Sequence, residues 1–191
     1  MTTLTILGTG NMGSAIAGIA AAGNHPVQAL DSSSGDQAVT GDVVVLAVPY
    51  PALEGILAAR KDELAGKIVV DLTNPLDFQT FDSLVVAPDG SAAAELAAAL
   101  PQSRVVKAFN TNFAATLGSG TVGDQPTTVL LAGDDAEAKA VVSTVVTDGG
   151  LAAIDAGSLA RARELEALGF LQITLAAGEK IGWTGGFAVV A

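Results

Sequence analysis

The chain has 191 residues, half of them hydrophobic, with no cysteine and a formal net charge of −11. Without cysteine there are no disulfides, thiolate nucleophiles or thiolate metal ligands, and so acidic a chain lacks the basic footprint that a nucleic-acid partner needs. No apolar run approaches the length of a membrane span, and Met1-Thr2-Thr3 leads into a strand-like run without the positive charge of a secretory leader. The expectation is a soluble cytoplasmic protein with no membrane partner, folded as a single domain over residues 1–191.

Short apolar runs alternate with helical patterns from the first residues onward. Leu4 to Leu7 predicts a strand, and Asn11 to Ala22 a helix whose core face is Met12, Ala15, Ile16, Ile19 and Ala20. Gly23 stands where a capping glycine belongs, and the lone His25 reads as a turn residue before a second strand, Val27 to Leu30. Val43 to Val48 is continuously apolar and predicts a central strand. Pro51 suits the first turn of a helix running to about Leu64 and closed by Gly66. Ile68 to Leu72, Val105 to Phe109, Thr128 to Ala132 and Leu151 to Ile154 read as further strands. Ala92 to Leu100 reads as a short helix, and Asp134 with Glu137 as a capping box opening a helix with Ala138, Val141, Val142 and Val145 inward. The acids of that box read as a helix cap rather than a cation site, so no metal is expected. Ser158 to Ala177 is the longest predicted helix. The pattern predicts an α/β fold of Rossmann type: a doubly wound, mostly parallel sheet with helices on both faces.

Gly8-Thr9-Gly10-Asn11-Met12-Gly13 is a GxGxxG element that follows the first strand and opens the first helix, with Asp31 lying 18 positions beyond its last glycine. Gly8 permits the tight turn, Gly10 lets a pyrophosphate approach the backbone, and Gly13 allows close helix–strand packing. The pyrophosphate then meets free N–H groups at the positive end of the helix. This context points to a nicotinamide dinucleotide. Asp31, ending the second strand, is placed to accept hydrogen bonds from the adenosine ribose and to repel a 2′-phosphate, and no Lys or Arg precedes Arg60. Ser32, Ser33 and Ser34 have hydroxyls that a 2′-phosphate can use, so NADP stays open, but Asp31 makes the residues lean towards NAD. Only ten residues, Ser32 to Gly41, separate Asp31 from Asp42, which predicts a shortened connection without the usual helix.

Two loops leave strand ends on the expected ligand side: Ala47-Val48-Pro49-Tyr50 and Thr73-Asn74-Pro75-Leu76. Ala47, Val48, Pro49 and Asn74 are assigned to the nicotinamide half of the cleft. Asn110-Thr111-Asn112-Phe113 faces the same cleft, with Asn110 and Thr111 expected to orient an acceptor ring or the nicotinamide carboxamide. These loops hold no His, Glu or Cys, so no side chain is expected to act as an essential acid or base. Lys107 is the lysine nearest the predicted cleft.

Several blocks in this order make the chain resemble the NADP-dependent oxidoreductases that act on the deazaflavin coenzyme F420, and the related cytosolic reductase domain of six-transmembrane metalloreductases. The blocks are Ile6–Gly13, Val70–Leu76, Val106–Thr111, Ala132–Asp135, Asp155–Leu159 with Ala162-Arg163, and Gly182–Phe187. The resemblance implies hydride transfer between NADP and a flavin-like ring, a small-molecule electron acceptor, without a side-chain acid. It also agrees with a homodimer through the C-terminal helix and the tail to Ala191. That helix carries Leu159, Ala162, Leu165, Leu168, Leu171 and Leu175 roughly in line, and leaves apolar surface beyond one stripe. NADP-selecting relatives usually carry a Ser-Arg pair where this chain has Asp31-Ser32, and enzymes of the deazaflavin can carry a histidine where it has Asn110. β-Hydroxyacid dehydrogenases share the opening motif but need a helical catalytic lysine and a large C-terminal domain, neither of which is seen here. The remaining alternative is a non-catalytic dinucleotide-binding or redox-sensing module.

Overall fold

A computed structural model describes residues 1–190 of the chain; Ala191, the end of the tail assigned to the dimer contact, lies outside the described residues. Nine strands and six helices follow in chain order: β1 (Leu4–Leu7), α1 (Asn11–Ala22), β2 (Val27–Leu30), β3 (Val43–Leu46), α2 (Leu53–Leu64), β4 (Ile68–Asp71), α3 (Ala92–Ala99), β5 (Arg104–Lys107), α4 (Ala114–Ser119), β6 (Thr121–Val122), β7 (Gln125–Pro126), β8 (Thr128–Gly133), α5 (Ala136–Asp148), β9 (Ala152–Gly157) and α6 (Ala162–Ala177). Seven strands form one sheet in the order β2-β1-β3-β4-β5-β8-β9, while β6 and β7 make a separate small hairpin.

Strand residues alternate between the two faces of the sheet, and both faces are buried. Ile6, Val43, Val45, Val70 and Val106 pack under α1 and α5, while Leu7, Val44, Leu46, Val69 and Val105 pack under α2 and α3. The sheet is therefore the Rossmann-like α/β sheet expected, with one change of direction. β8 runs antiparallel to β5, Lys107 lying opposite Ala132. The cause is α4 and the β6–β7 hairpin, which turn the chain beyond the carboxyl end of β5 and return it downwards. Neither was legible as a regular element.

The shortened connection after β2 contains no helix, as its length requires. Its ten residues span about 33–36 Å when extended, enough to return past a four-residue strand of about 13 Å. Side chains replace the missing helix as fasteners. Gln28 accepts from the Thr40 hydroxyl at 2.9 Å, and Thr5 Oγ1 accepts from the Gly41 amide at 2.8 Å. Gly41 has to be glycine, because a Cβ there would collide with the Leu4–Thr5 backbone of β1.

Local capping differs in detail from the expectation. Gly23 has φ −79° and is glycine because a Cβ would meet Asp148; the left-handed residue is Asn24, φ 60°. Asp135, not Asp134, caps α5 by accepting from Ala138 N–H, while Asp134 accepts from Leu159 N–H across the fold. His25 is buried rather than a simple turn residue. Its Nδ1 accepts from Thr2 N–H at 3.0 Å and its Nε2 lies 3.1 Å from Asp148.

The face that α6 turns inward keeps only Ala162 and Leu165 of the leucine line read from the sequence. Ala162, Leu165, Glu166, Gly169, Gln172 and Ala176 are buried, whereas Leu171 is 49% exposed. The reason is that α6 covers the polar loop ends after β4 and β5, not an apolar strand surface. Gln172 Nε2 donates to the Thr111 carbonyl, and Gly169 lies where a Cβ would collide with Asn74 Oδ1 and the Asn110 carbonyl. Alanine for glycine in an open helix interior stabilises by about 0.5–1 kcal/mol. Gly169→Ala should do the opposite, lowering the thermal midpoint by several degrees as α6 is levered off these loops. Differential scanning calorimetry checks this, and a raised midpoint would show that α6 rides outward without loss.

Candidate functional site

The chain leaves β1 for β2 on one side and then enters β3 on the other, so a crevice opens between the carboxyl ends of β1 and β3. The glycine loop fills its floor. Gly8 has φ +111°, and a Cβ there would strike the Ala47 carbonyl; a Cβ on Gly13 would strike the Gly8 carbonyl. Gly10 differs from both, because its Cβ would meet nothing within 4 Å. Two glycines are thus fixed by packing, and the third borders open space. The first turn of α1 has no acidic side chain, and Gly10 at its N-cap offers no side-chain acceptor. The amides and the positive end of the helix dipole are left for an anion. This geometry fits the pyrophosphate of a dinucleotide.

Asp31 directly follows β2, beside this loop. Its Oδ1 accepts from Ser33 N–H (2.8 Å), Ser33 Oγ (2.6 Å) and Ser34 Oγ (3.1 Å), while Thr9 Oγ1 lies 3.5 Å from Oδ2. The Ser33 hydroxyl first, then the Ser33 amide and Ser34 hydroxyl, hold the carboxyl below the ordinary aspartate range. Ser32 is exposed in the same turn.

On the other side of the loop lies a cavity of about 800 Å³. Of the residues assigned from sequence, Asn11, Met12, Val48, Pro49, Asn74 and Asn110 line it. Gly8, Thr9, Gly10, Gly13 and Ala47 make the adjoining turn, and Asp31, Ser32 and Ser33 lie at the far end of the groove. Thr111 is buried beside α6 and is not part of the cavity wall. The chain has eight Phe, Tyr and Trp residues, and five of them line this one cavity: Tyr50, Phe78, Phe81, Phe113 and Trp183. Phe113 and Trp183 meet at 5.0 Å between ring centroids, and Phe78 and Phe81 meet edge to face at 5.9 Å. Sequence reasoning missed Phe78, Phe81 and the place of Trp183, which come from a long irregular loop and the tail. The one available signal was the crowding of aromatics at Phe78 and Phe81, and again at Trp183 and Phe187.

The wall contains no carboxylate, imidazole, amine or guanidinium; Tyr50 is its one titratable group. The Tyr50 hydroxyl donates to Glu95, and that bond, aided by burial, pushes its pKa up to about 12. Asp77, three residues beyond Asn74, is not part of this wall, and its Oδ1 accepts from the Gln79 amide at 2.8 Å.

Beneath the cavity floor lies a buried ionic cluster. Lys107 is fully buried, and its Nζ is 2.9 Å from Asp71 Oδ2 and 2.8 Å from Glu166 Oε1. It also donates to the Thr73 carbonyl. Glu166 accepts from the Ala92 and Ala93 amides at the start of α3, and burial raises its pKa despite these partners. Lys107 is therefore a framework group below the cleft, not a reactive amine within it. Above it, Asn74 and Asn110 are bonded reciprocally: Asn74 Nδ2 donates to the Asn110 carbonyl, and Asn110 Nδ2 to Asn74 Oδ1, both at 2.9 Å. Asn110 Nδ2 also donates to the Leu165 carbonyl. Asn110 Oδ1, Asn112 Oδ1 and Thr73 Oγ1 are buried without a protein partner, and all three residues line the cavity. An unpaired buried acceptor is costly, so these atoms suit a ligand that carries N–H donors, as a carboxamide does.

The glycine geometry yields a paired prediction. Gly10→Val should keep the native fold and midpoint, since the side chain enters open space, and should abolish dinucleotide binding. Gly13→Val should instead unfold or strongly destabilise the chain, because its Cβ has no room. Calorimetric titration and thermal melts check both, and wild-type affinity in folded Gly10→Val would refute the assignment of the loop.

The chain's likenesses to known proteins agree with this geometry. The sequence model of the family described as "NADP oxidoreductase coenzyme F420-dependent" matches residues 27–75. The F420-dependent NADP reductase of Methanocaldococcus jannaschii is 38% identical over 146 residues, 73% of this chain and 64% of that protein. Its counterpart from Methanothermobacter thermautotrophicus is 32% identical over 160 residues, 81% of this chain and 68% of that protein. The metalloreductase STEAP3 of Rattus norvegicus is 37% identical over 133 residues, 26% of its own length. This chain therefore spans about two thirds of the length of the reductases and a quarter of the metalloreductase. The crystal structure of a candidate F420-dependent NADP reductase from Arthrobacter sp. FB24 superposes over the whole of both chains with a TM-score of 0.82 at 27% identity. With the Methanothermobacter thermautotrophicus reductase 32% identical and matched over 68% of its length, the chain belongs to the F420-dependent NADP oxidoreductase family.

Proposed function

We propose that this protein is an oxidoreductase that moves a hydride between a nicotinamide dinucleotide, NADP or NAD, and a flavin-like or deazaflavin acceptor. The observation that carries the reading is the cavity beside the glycine loop, walled by five aromatic side chains and free of any carboxylate, imidazole, amine or guanidinium. When bound, the dinucleotide supplies the hydride, and a proton from solvent completes the reduced acceptor. The protein's part is then to stack, align and dry two rings rather than to transfer protons. Gly8 to Gly13 hold the pyrophosphate, Val48, Pro49 and Asn74 line the nicotinamide end, and the aromatic wall takes the acceptor. The relatives' printed names supply the acceptor class, F420, and a dinucleotide cofactor, NADP.

The same reading makes the whole chain one dinucleotide-binding domain of a cytoplasmic protein. No described helix is long and apolar enough to cross a membrane. It also includes a homodimer through α6 and the tail, supported by the exposed Leu171, Phe187, Val189 and Val190. Light scattering at micromolar concentration reads the mass directly.

The reaction is tested by turnover of NADH and NADPH with the deazaflavin, FMN, FAD and ferric chelates. Deuterium placed at the nicotinamide C4 should appear on the reduced deazaflavin carbon; its loss to solvent would overturn direct hydride transfer. Tight cofactor binding with no turnover of any acceptor would favour the sensing module instead. Asn110→Ala should lower kcat/KM by about one to two orders of magnitude without reducing the rate to background. Its amide holds Asn74 and α6 in place and performs no chemistry. Complete loss in a variant that folds and binds cofactor would assign Asn110 a part in the reaction itself.

A further inference from the structure

Resting on the dinucleotide reading above, we propose that Asp31 and the turn it organises make the adenosine-ribose end of the site selective for NAD(H) over NADP(H). Four observations converge on this end of the groove. The first is the place and state of the carboxylate. Asp31 directly follows β2, with Thr9 of the glycine loop 3.5 Å from its Oδ2, so it stands next to the turn that would hold the pyrophosphate. Oδ2 has no closer partner and can accept from ribose hydroxyls, which a 2′-phosphate would remove.

The second is where the serines point. Apart from the family resemblance, the hydroxyls following β2 are the feature of the sequence that favours a 2′-phosphate. Ser33 Oγ donates to Asp31 Oδ1 at 2.6 Å and Ser34 Oγ at 3.1 Å, and Ser34 Oγ accepts from Asp31 N–H at 2.9 Å. These two hydroxyls are committed to the carboxylate and hold it ionised, which leaves the exposed Ser32 hydroxyl alone to a 2′-phosphate.

The third is the lack of a cation. No Lys or Arg occurs from Met1 to Ala59, while Asp31, Asp36 and Asp42 flank or lie within the connection. Arg60 approaches it, but its guanidinium donates to the Gln37 and Gly35 carbonyls at 2.8 and 2.9 Å and pairs with Glu63 at 3.1 Å. It holds the loop and is already neutralised. The fourth is the shortened crossover. With no helix between β2 and β3, no helix N-terminus is offered to a phosphate there. A 2′-phosphate, carrying nearly two negative charges, would meet an ionised carboxylate well inside the Debye length with nothing to balance it.

Calorimetric titration of the intact protein with ADP-ribose, NADH and NADPH tests this. NADH should bind at least tenfold more tightly than NADPH, about 1.4 kcal/mol. Asp31→Asn, which keeps size and exposure and can be checked for native circular dichroism, should shrink that ratio severalfold by weakening NADH and strengthening NADPH. NADPH binding as tightly as NADH to the wild type, or an unchanged ratio in Asp31→Asn, would overturn the selectivity while leaving the dinucleotide site intact. Failure of ADP-ribose and both dinucleotides to bind would overturn the dinucleotide reading itself, and the selectivity with it.

Discussion

The ammonium of Lys107 is the interaction on which the arrangement of the cleft depends. A buried amine is tolerated only where partners replace its hydration, and here Asp71, Glu166 and the Thr73 carbonyl do so from three different elements. Two carboxylates around one amine leave a net negative charge, which the amides at the start of α3 offset through Glu166. One cluster thus ties together β4, β5, α3, α6 and the loop leading to Asn74. Removing the amine would leave two facing carboxylates without compensation, a loss of about 3–5 kcal/mol.

Rigidity below permits an apolar cavity above. Because Asp71 also accepts from the Thr73 amide at 2.8 Å, the loop is set before any ligand arrives. The Asn74–Asn110 pair then rests on that loop and receives α6 across Gly169. All charge is kept one layer down, and the layer facing the cavity consists of aromatic rings, aliphatic groups and amides. Two stacked rings exchanging a hydride need such surroundings, since proximity and exclusion of water matter more there than proton transfer. The positive φ of Phe109, +63° and unusual for an aromatic residue, marks the turn that delivers Asn110 to this position.

The sequence and the structure agree where local physics decides. The apolar runs of β1, β3 and β4 are buried on both faces, and Gly8, Gly10 and Gly13 stand in three distinct environments that the motif foretells. Disagreement arises where tertiary contacts decide. The inward face of α6 includes Glu166, Gly169 and Gln172, a choice that no hydrophobic period reveals because their partners are backbone groups and a lysine far away in the chain. The antiparallel β8 depends on a six-residue helix and two-residue strands too short to leave a pattern. The aromatic wall is drawn from Tyr50, Phe78, Phe81, Phe113 and Trp183, and only the fold brings these into one place.

The two ends of the groove are built by opposite means, and this follows from the length of one connection. At the cavity end, position is over-determined by buried ions, reciprocal amides and packed rings. At the β2 end, ten residues cross directly over β1, held by Gln28, Thr5 and the close passage of Gly41. A connection that short has no space for a helix, and so no second wall for an adenosine. On the proposed reading, recognition there would fall to the turn around Asp31, and the glycine loop and the cavity end would provide most of the binding energy. A dinucleotide would thus be gripped at its middle and reactive end, with its adenosine read by a single carboxylate at an open edge.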